Sequence, residues 1–270
     1  MKSFEFINVS INAHIARVVL NRPEQANAIH ETLWDEIGEV FEELDRLAEV
    51  RVIVLEGAGK HFCAGIDFSF VATIVAQAQA QPEGRKQEWL REKIIGMQKS
   101  FSQAEFCRKP VIAAVHGACV GAGLDLIAAC DIRLAAKGAH FCLKEADLGL
   151  VADIGSLQRL PKLIGEGRTR ELAFTARKMD AAEAEQVHLI NGVYDDKDQL
   201  AKAAMSMAQT IAEKSPLTMR GVKTVMNYSR DHRVADGLEY VATWNAGMLL
   251  SSEAQEAVSA LMERRTPRFD

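Results

Sequence analysis

The stretch Val111-Ile-Ala-Ala-Val-His-Gly-Ala-Cys-Val-Gly-Ala-Gly-Leu-Asp125 decides the fold class of this chain. An apolar strand, Val111 to Val115, is followed by a glycine-rich loop, and a helix is expected to begin near Leu124. The earlier stretch Val52 to Asp67 has the same plan and ends in Ala-Gly-Ile-Asp, where the later one ends in Ala-Gly-Leu-Asp. Repeated strand-loop-helix units predict an α/β architecture with a coiled or spiral arrangement.

The segments outside these two stretches also alternate between strand and helix patterns. Residues Phe4 to Leu20 predict a hairpin that turns near Asn12, and Asn21 to Ala28 predicts a loop. A strand is expected over Ala139 to Leu143, and the polar segment Gln77 to Lys86 is expected to be a flexible loop. Two apolar stripes at helical spacing predict helices, namely Leu33, Ile37, Val40 and Leu44, and Leu90, Ile94, Met97 and Phe101.

After Asp195 the pattern changes to helices alone. Residues 198–264 have helical periodicity, and Ser251-Ser-Glu253 is typical of a helix N-cap. We therefore divide the chain into a spiral α/β core, residues 1–197, and a helical C-terminal region, residues 198–270. This region is predicted to supply contacts between subunits, because it carries aromatic and Met residues such as Tyr240, Trp244 and Met248.

The composition is that of an ordinary globular protein, with 270 residues of which 48% are hydrophobic and 26% charged. The net charge is -5 and the positive residues are scattered, so no nucleic acid partner is predicted. The five cysteines form no CxxC pair and lie mostly in apolar runs, which favours buried reduced thiols. No signal-peptide core and no apolar run of membrane-spanning length is present, so we expect a cytoplasmic protein without a membrane partner.

The glycines from Gly117 to Gly123 lie where the backbone turns tightly before a helix. A helix N-terminus has unpaired amide N–H groups and the positive end of the helix dipole, which suits an oxyanion. A tight turn that only packs would need the same glycines, and this alternative stays open for the loop by itself. The matching loop that ends at Asp67 favours the oxyanion, because two loops can each donate one N–H. The spacing fits neither GxGxxG nor a Walker A loop, so no nucleotide fold is predicted.

Three carboxylates, Asp125, Glu145 and Asp153, lie in successive loops whose other residues are mostly apolar or glycine. Burial and a neighbouring carboxylate both raise the pKa of a carboxyl group, which lets it exchange protons with carbon near neutral pH. Each acid alone is also typical of a solvated or capping residue, and Asp125 fits a helix cap. Together they predict proton-transfer catalysis. The histidines lack metal-ligand spacing, so no metal is expected.

The chain resembles the crotonase (enoyl-CoA hydratase/isomerase) superfamily from Asn21-Arg-Pro-Glu through Glu263-Arg-Arg-Thr-Pro-Arg-Phe269. Three runs resemble the Δ(3,5)-Δ(2,4)-dienoyl-CoA isomerases of that superfamily: Lys144 to Pro161, Tyr228-Ser-Arg-Asp-His232 and Ala242-Thr-Trp-Asn245. The resemblance implies a spiral of strand-strand-helix repeats with a helical C-terminal region, assembled as a homotrimer or homohexamer. It also implies an acyl-CoA thioester substrate from fatty acid beta-oxidation and no separate cofactor, since coenzyme A is part of the substrate.

The resemblance further assigns roles to particular residues. The backbone N–H groups of Ile66 and Ala122 would hold the thioester oxygen. We assign Glu145 to the proton at C2 and Asp153 to the proton at C6, with Asp125 supporting their protonation states; the reverse assignment of C2 and C6 stays open. The coenzyme A site would be lined by Gln25, Ala26, Ala28, Ala64, Gly65, Ile66, Asp67 and Ala122.

Two positions depart from the common pattern of the superfamily. Asp125 stands where a hydratase would carry Glu, which argues against ordinary hydration by a pair of Glu residues. Ala122 stands where glycine is usual, and its methyl group leaves the N–H intact but narrows the pocket. The alternatives are an enoyl-CoA hydratase or another acyl-CoA enzyme, including one with Asp153 as a nucleophile. A non-catalytic CoA-binding or RNA-binding homologue would have lost the acids or gained a basic surface.

Overall fold

The computed structural model describes residues 2–269. Most strands are short and follow the apolar runs of the sequence. In chain order they are β1 (Ile7–Asn12), β2 (Ile15–Leu20), β3 (Val52–Gly57), β4 (Val111–Val115), β5 (Ala118–Val120), β6 (Ile132–Ala136), β7 (His140–Cys142), β8 (Met179–Asp180) and β9 (Gly192–Tyr194).

The helices include the two that were predicted from apolar stripes. In chain order they are α1 (Glu31–Arg46), α2 (Phe68–Gln79), α3 (Lys86–Phe106), α4 (Ala122–Ala128), α5 (Ser156–Ile164), α6 (Glu166–Thr175), α7 (Ala181–Gln186), α8 (Lys197–Ala212), α9 (Pro216–Arg230), α10 (Val234–Met248) and α11 (Ser252–Glu263). Single turns of 3-10 helix lie at Pro23–Gln25 and Glu145–Leu148.

Two sheets organise the described residues. The main sheet has the strand order β1-β2-β3-β4-β6-β9, and a smaller sheet has the order β5-β7-β8. In the main sheet only β1 and β2 are antiparallel. This pair is the predicted hairpin, which reverses at Ala13 and His14, both with positive φ (47° and 67°). The prediction of a hairpin over Phe4 to Leu20 is confirmed.

The chain winds as a spiral, because a main-sheet strand is followed by a short strand of the second layer and then by a helix. β4 leads to β5 and α4, and β6 leads to β7 and the 3-10 helix at Glu145–Leu148. Between β3 and α2, Cys63 takes the place of the short strand and forms a parallel bridge with Cys119 of β5. β5 pairs in parallel with β7 in turn. The predicted α/β spiral of strand-strand-helix repeats is confirmed.

The main sheet is covered on both faces. Val52 and Val54 pack with Leu200 and Ala204 of α8. The alternate residues of β3 belong to the larger core, which also contains Trp34 of α1 and Phe101 of α3. Strands buried on both faces have continuous apolar sequences, which explains the runs that predicted β3 and β4.

One sequence-based expectation is wrong in part. The segment Gln77 to Lys86 was expected to be a loop, but Gln77–Gln79 forms the end of α2 and Lys86 begins α3. α2 begins at an N-cap, Asp67, whose carboxylate accepts the Ser69 N–H at 3.0 Å. Only residues 80–85 remain outside the two helices.

The C-terminal helices agree with the predicted helical region. Ser251 accepts the Ala254 N–H at 3.2 Å, so the predicted N-cap of α11 is confirmed. Tyr240 stacks on Tyr228 with ring centroids 4.2 Å apart, and Trp244 packs over Gly221, so both aromatic residues contact α9 of their own chain. The division at residues 197 and 198 stays a prediction, and α8 packs on the main sheet.

Within residues 2–269, every helix is too short or too polar to cross a bilayer.

Candidate active site

Two loops meet at the start of α4, and each presents a backbone amide. Ala122 is the first residue of α4, so its N–H has no acceptor within the helix. In the other loop, the Ile29 N–H donates to the Gly65 carbonyl at 2.8 Å. The Ile66 N–H points away from Ile29, because it is trans to that carbonyl. Among the described residues, neither amide donates a hydrogen bond to another protein atom.

The close approach of the two loops requires glycine. A methyl group at Gly65, which has a φ of 104°, would lie 3.0 Å from the Val120 carbonyl oxygen and 3.9 Å from the Ala122 nitrogen. A methyl group at Gly121 would lie 3.3 Å from Oε1 of Glu145. Glycine at positions 65 and 121 therefore leaves the space in which the two amides and the Glu145 carboxylate meet.

A cavity of about 150 Å³ lies in front of these amides. Its wall contains seven of the predicted site residues, namely Ala64, Gly65, Ile66, Ala122, Asp125, Glu145 and Asp153. Most of the rest of the wall is apolar and includes Trp34, Phe68, Val71, Met97, Leu148 and Val151. The structure thus brings the two predicted oxyanion residues and the three predicted acids together.

Asp125 lies in the first turn of α4, but its carboxylate binds another helix. Its side chain is buried, and Oδ1 accepts the N–H of Ser156, the first residue of α5, at 2.7 Å. The alternative that Asp125 caps the helix it opens is wrong, since Gly121 holds that position. The pKa of Asp125 is raised to about 7, mainly by burial and in smaller part by the charge of Glu145, against the hydrogen bond from the Ser156 N–H, which lowers it.

Asp125→Asn is expected to make the free energy of unfolding less dependent on pH. Burial raises the pKa of Asp125 from 3.8 to about 7, so between these values the native state holds a proton that the unfolded chain has lost. As pH rises from about 4 to about 7, this acid therefore lowers the free energy of unfolding of the wild-type protein by a few kcal/mol. Above that range it causes no further loss of stability. Asn removes this loss and retains an oxygen for the Ser156 N–H.

Urea unfolding across this pH range measures the effect. Equal denaturant slopes for the two proteins serve as the control that the unfolded states match. Parallel curves of stability against pH for wild type and Asp125→Asn would show that Asp125 titrates normally.

Glu145 begins the 3-10 helix and turns its carboxylate toward the loop of Gly121. Its Oε2 is buried and accepts no hydrogen bond from the described residues. Burial raises the pKa of Glu145, and the nearby charge of Asp153 raises it further. Glu145 is thus suited to take or give a proton inside the cavity.

Asp153 lies at the edge of the cavity and is partly open to solvent. The side-chain amide of Gln98 on α3 donates to the Asp153 carbonyl at 2.6 Å and fixes this part of the loop. Packing of protein atoms around the carboxyl group raises the pKa of Asp153. The three acids therefore share a raised pKa but differ in exposure and in hydrogen-bond partners.

The remaining predicted residues form a rim beside the cavity instead of lining it. Ala26 accepts the Ala64 N–H at 2.9 Å, which places the loop of Gln25, Ala26 and Ala28 next to the oxyanion loop. Arg22 joins the two loops, since its guanidinium donates to the Ala28 carbonyl and to Oδ2 of Asp67. Asp67 is therefore engaged in an ion pair and in capping α2.

Three residues that support the site were not identified from the sequence. The amide of the buried Asn27 donates to the carbonyls of Ala58, His61 and Phe62, and so fixes the rim loop. Trp34 and Met97 line the cavity and are joined by a hydrogen bond from the indole N–H to the Met97 carbonyl at 3.0 Å. Met97 had been assigned to a helix stripe and Trp34 follows the first residue of the other stripe, but a stripe does not show whether a residue packs in the core or borders a cavity.

Two amide donors facing carboxyl groups of raised pKa in an apolar cavity are suited to stabilising an oxyanion and to transferring protons. A family model described as enoyl-CoA hydratase/isomerase matches residues 10–270. The chain belongs to this family, and the crotonase resemblance of the sequence is confirmed.

Individual relatives support this placement. The chain is 45% identical over 269 residues to the peroxisomal Delta(3,5)-Delta(2,4)-dienoyl-CoA isomerase of Arabidopsis thaliana, covering 99% of this chain and 97% of the relative. It is 45% identical over 265 residues to the mitochondrial isomerase of that name from Homo sapiens, covering 97% of this chain and 81% of the relative. A solved structure of enoyl-CoA hydratase from Bacillus anthracis superimposes with a TM-score of 0.89 at 31% identity, covering 98% and 99% of the two chains.

These relatives correct one expectation. The prediction of a cytoplasmic protein is contradicted, because the similar isomerases are named peroxisomal or mitochondrial. The prediction rested on reduced cysteines and on a missing signal peptide, and neither feature distinguishes the cytosol from these organelles.

Proposed function

We propose that this protein isomerises 3,5-dienoyl-CoA to 2,4-dienoyl-CoA. The observation that carries the proposal is the meeting of the Ile66 and Ala122 amides with Glu145 and Asp153 in one apolar cavity. Relatives 44–45% identical over nearly the whole chain carry the name of this activity and support it.

The two amides would donate hydrogen bonds to the thioester oxygen. Removal of a proton from C2 places negative charge on that oxygen. Two preorganised N–H donors would stabilise this charge by about 3–4 kcal/mol each. The Ile66 and Ala122 amides are free for this role, and glycine at position 65 allows them to lie close together.

The acids then move protons at the two ends of the dienolate. Glu145 takes the C2 proton, the charge spreads through the 3,5-diene, and Asp153 delivers a proton to C6. The raised pKa of both groups, caused by burial, brings proton donation and acceptance closer to neutral pH. Asp125 holds the start of α5, three residues after Asp153, and so positions the acid at the distal end.

The remaining expectations concern the coenzyme A portion of the substrate and the metabolic role of the reaction. Coenzyme A enters as part of the thioester along the rim of Gln25, Ala26, Ala28, Ala64 and Asp67, and we expect no separate cofactor. A substrate of this kind arises when unsaturated fatty acids are degraded, so we place the reaction in fatty acid beta-oxidation.

The product identifies the reaction. In deuterated water, 3,5-dienoyl-CoA is expected to yield the 2,4-dienoyl ester with deuterium at C6 and little hydrated product, as followed by ultraviolet absorbance and mass. Incubation with 2-enoyl-CoA in parallel is the control. A dominant 3-hydroxyacyl product without diene conversion would contradict the isomerase assignment and favour an enoyl-CoA hydratase. The hydratase is the second candidate because of Glu145 and because of the similarity to solved hydratase structures.

A homotrimer or homohexamer is the expected assembly. Large apolar side chains in the C-terminal helical region are exposed, and the most exposed of them are Val234, Leu249, Leu250, Leu261 and Met262. A surface of this kind is typical of a contact between subunits. Light scattering should give three or six times the chain mass of 29.7 kDa, and a monomer at micromolar concentration would refute the assembly.

A further inference from the structure

Asp153 borders a second cavity, which lies on the side of α5 and α3. This polar cleft measures about 420 Å³ and includes Gln98, Ser102, Glu105, Gln158 and Arg159 in its wall. Asp153 and Ile154 line both the polar cleft and the apolar cavity of the active site. Asp125 and Glu145 line the apolar cavity and are absent from the wall of the polar cleft.

Paired charges form the inner wall of the polar cleft. Glu105 is buried and binds two guanidinium groups, that of Arg159 at 2.6 Å and that of Arg230. Arg159 also donates to the Ser102 hydroxyl at 3.0 Å. A methyl group at Gly155 would lie 1.9 Å from Arg159 Nη1, so the guanidinium lies directly against the turn that follows Asp153. Such a wall offers water many hydrogen-bond partners.

The polar cleft reaches the surface. Gln158 and Lys162, one turn apart on α5, are exposed, and so is Asp231 at the end of α9. Lys162 and Asp231 form an ion pair at 2.5 Å, which borders the opening. Water can therefore approach Asp153 without passing through the apolar cavity.

The proposed reaction requires proton exchange at both acids. In each turnover, the C2–H bond breaks and Glu145 gains a proton, while a C6–H bond forms and Asp153 loses one. Asp153 must then regain a proton and Glu145 must release one before the next turnover. An acyl chain bound in the apolar cavity would keep water from that side.

We propose that the polar cleft is the route by which Asp153 exchanges its proton with solvent. The proposal rests on the proposed function and adds a separate entrance for protons to the distal end of the substrate. Under it, the hydrogen that arrives at C6 comes from water, because Asp153 is reprotonated through the polar cleft faster than it can receive the proton held by Glu145.

Filling the polar cleft tests this route. Gln158→Trp places a large side chain in the opening, and Gln158 makes no side-chain hydrogen bond to another described residue. Lys99→Trp on α3 is the matched control, because Lys99 is exposed and lies outside the walls of both cavities. Protiated 3,5-dienoyl-CoA is converted in deuterated water, and the deuterium at C6 of the product is measured by mass spectrometry and NMR.

Gln158→Trp is expected to lower the deuterium content at C6 by about half or more, with substrate hydrogen in its place, while Lys99→Trp labels C6 as wild type does. If Gln158→Trp does not fold, Lys162→Trp fills the same opening from one turn further along α5. Wild-type labelling in a folded filling variant overturns the proton route and leaves the isomerase intact. A wild-type protein that forms no 2,4-dienoyl product overturns the function itself.

Discussion

Glu145→Gln and Asp153→Asn are each expected to lower kcat for diene isomerisation by about 100-fold to 10,000-fold. A neutral amide keeps the shape of the side chain but cannot shuttle a proton. The affinity for a CoA ester should stay within a few fold, since neither acid is expected to hold the CoA portion. Steady-state kinetics with 3,5-dienoyl-CoA and inhibition by a saturated CoA ester measure the two quantities separately.

Asp147→Asn is the matched control for this pair. Asp147 lies in the same 3-10 helix as Glu145, but its carboxylate pairs with Lys144 at the surface and lies outside the cavity wall. Its removal should leave kcat close to the wild-type value. Near wild-type turnover in both Glu145→Gln and Asp153→Asn would show that the mechanism with two carboxylates is wrong.

Gly65→Ala is expected to lower kcat by about 100-fold to 1,000-fold, as the loss of one oxyanion donor does. The φ of 104° at Gly65 disfavours alanine, and the new methyl group would lie 3.0 Å from the Val120 carbonyl oxygen. The loop must then move away from α4, and the Ile66 amide moves with it. The same kinetic assay measures the change, with melting temperature to confirm folding.

Gly96→Ala provides the comparison for this substitution. Gly96 lies within α3, and a methyl group there would contact nothing within 4 Å. Alanine should stabilise the helix by up to about 1 kcal/mol and leave kcat unchanged. If folded Gly65→Ala turned over at the wild-type rate, the Ile66 amide would not be part of an oxyanion site.

The sequence predicted the parts of the fold that depend on local pattern. The run Val52 to Leu55 and the stripe of Leu33 and Ile37 each identify one element, because continuous apolar residues suit a doubly covered strand and a period of 3.6 suits a helix. Helix α2 has no such stripe. Phe68 and Val75 are exposed on it, and Phe70 and Ala78 are its buried residues. Its N-cap, Asp67, had been assigned only to the coenzyme A site.

Similar sequences at two places in the chain also have different structures. Asp67 and Asp125 end nearly identical runs, yet Asp67 caps a helix and pairs with Arg22, whereas Asp125 lies within a helix and is buried. The difference arises because α4 begins three residues before Asp125, while α2 begins after Asp67. Local sequence did not distinguish these outcomes, since neighbouring elements decide where each helix begins.

The chemical groups of the candidate site could be predicted from the sequence, but the hydrogen bonds that hold them in place could not. The three acids and the two amides were identified from the sequence and from family resemblance, and the structure brings them together in one cavity. The bond from Ser156 to Asp125 spans 31 residues, and the contact of Gln98 with Asp153 spans 55. Such contacts depend on how the spiral stacks, which no local pattern reports.

The hydrogen bond between Asp125 and Ser156 gives the protein a built-in spectroscopic reporter. The Ser156 N–H donates to a carboxylate whose pKa burial raises to about 7, so its donor strength and chemical shift depend on whether that acid is ionised. In an NMR titration, this single amide resonance should move with the ionisation of a buried group that has no signal of its own in an amide spectrum. A ligand that places negative charge in the cavity would shift the midpoint of that titration upward. The backbone of α5 thereby converts the charge state of the active site into an observable that requires neither substrate nor turnover.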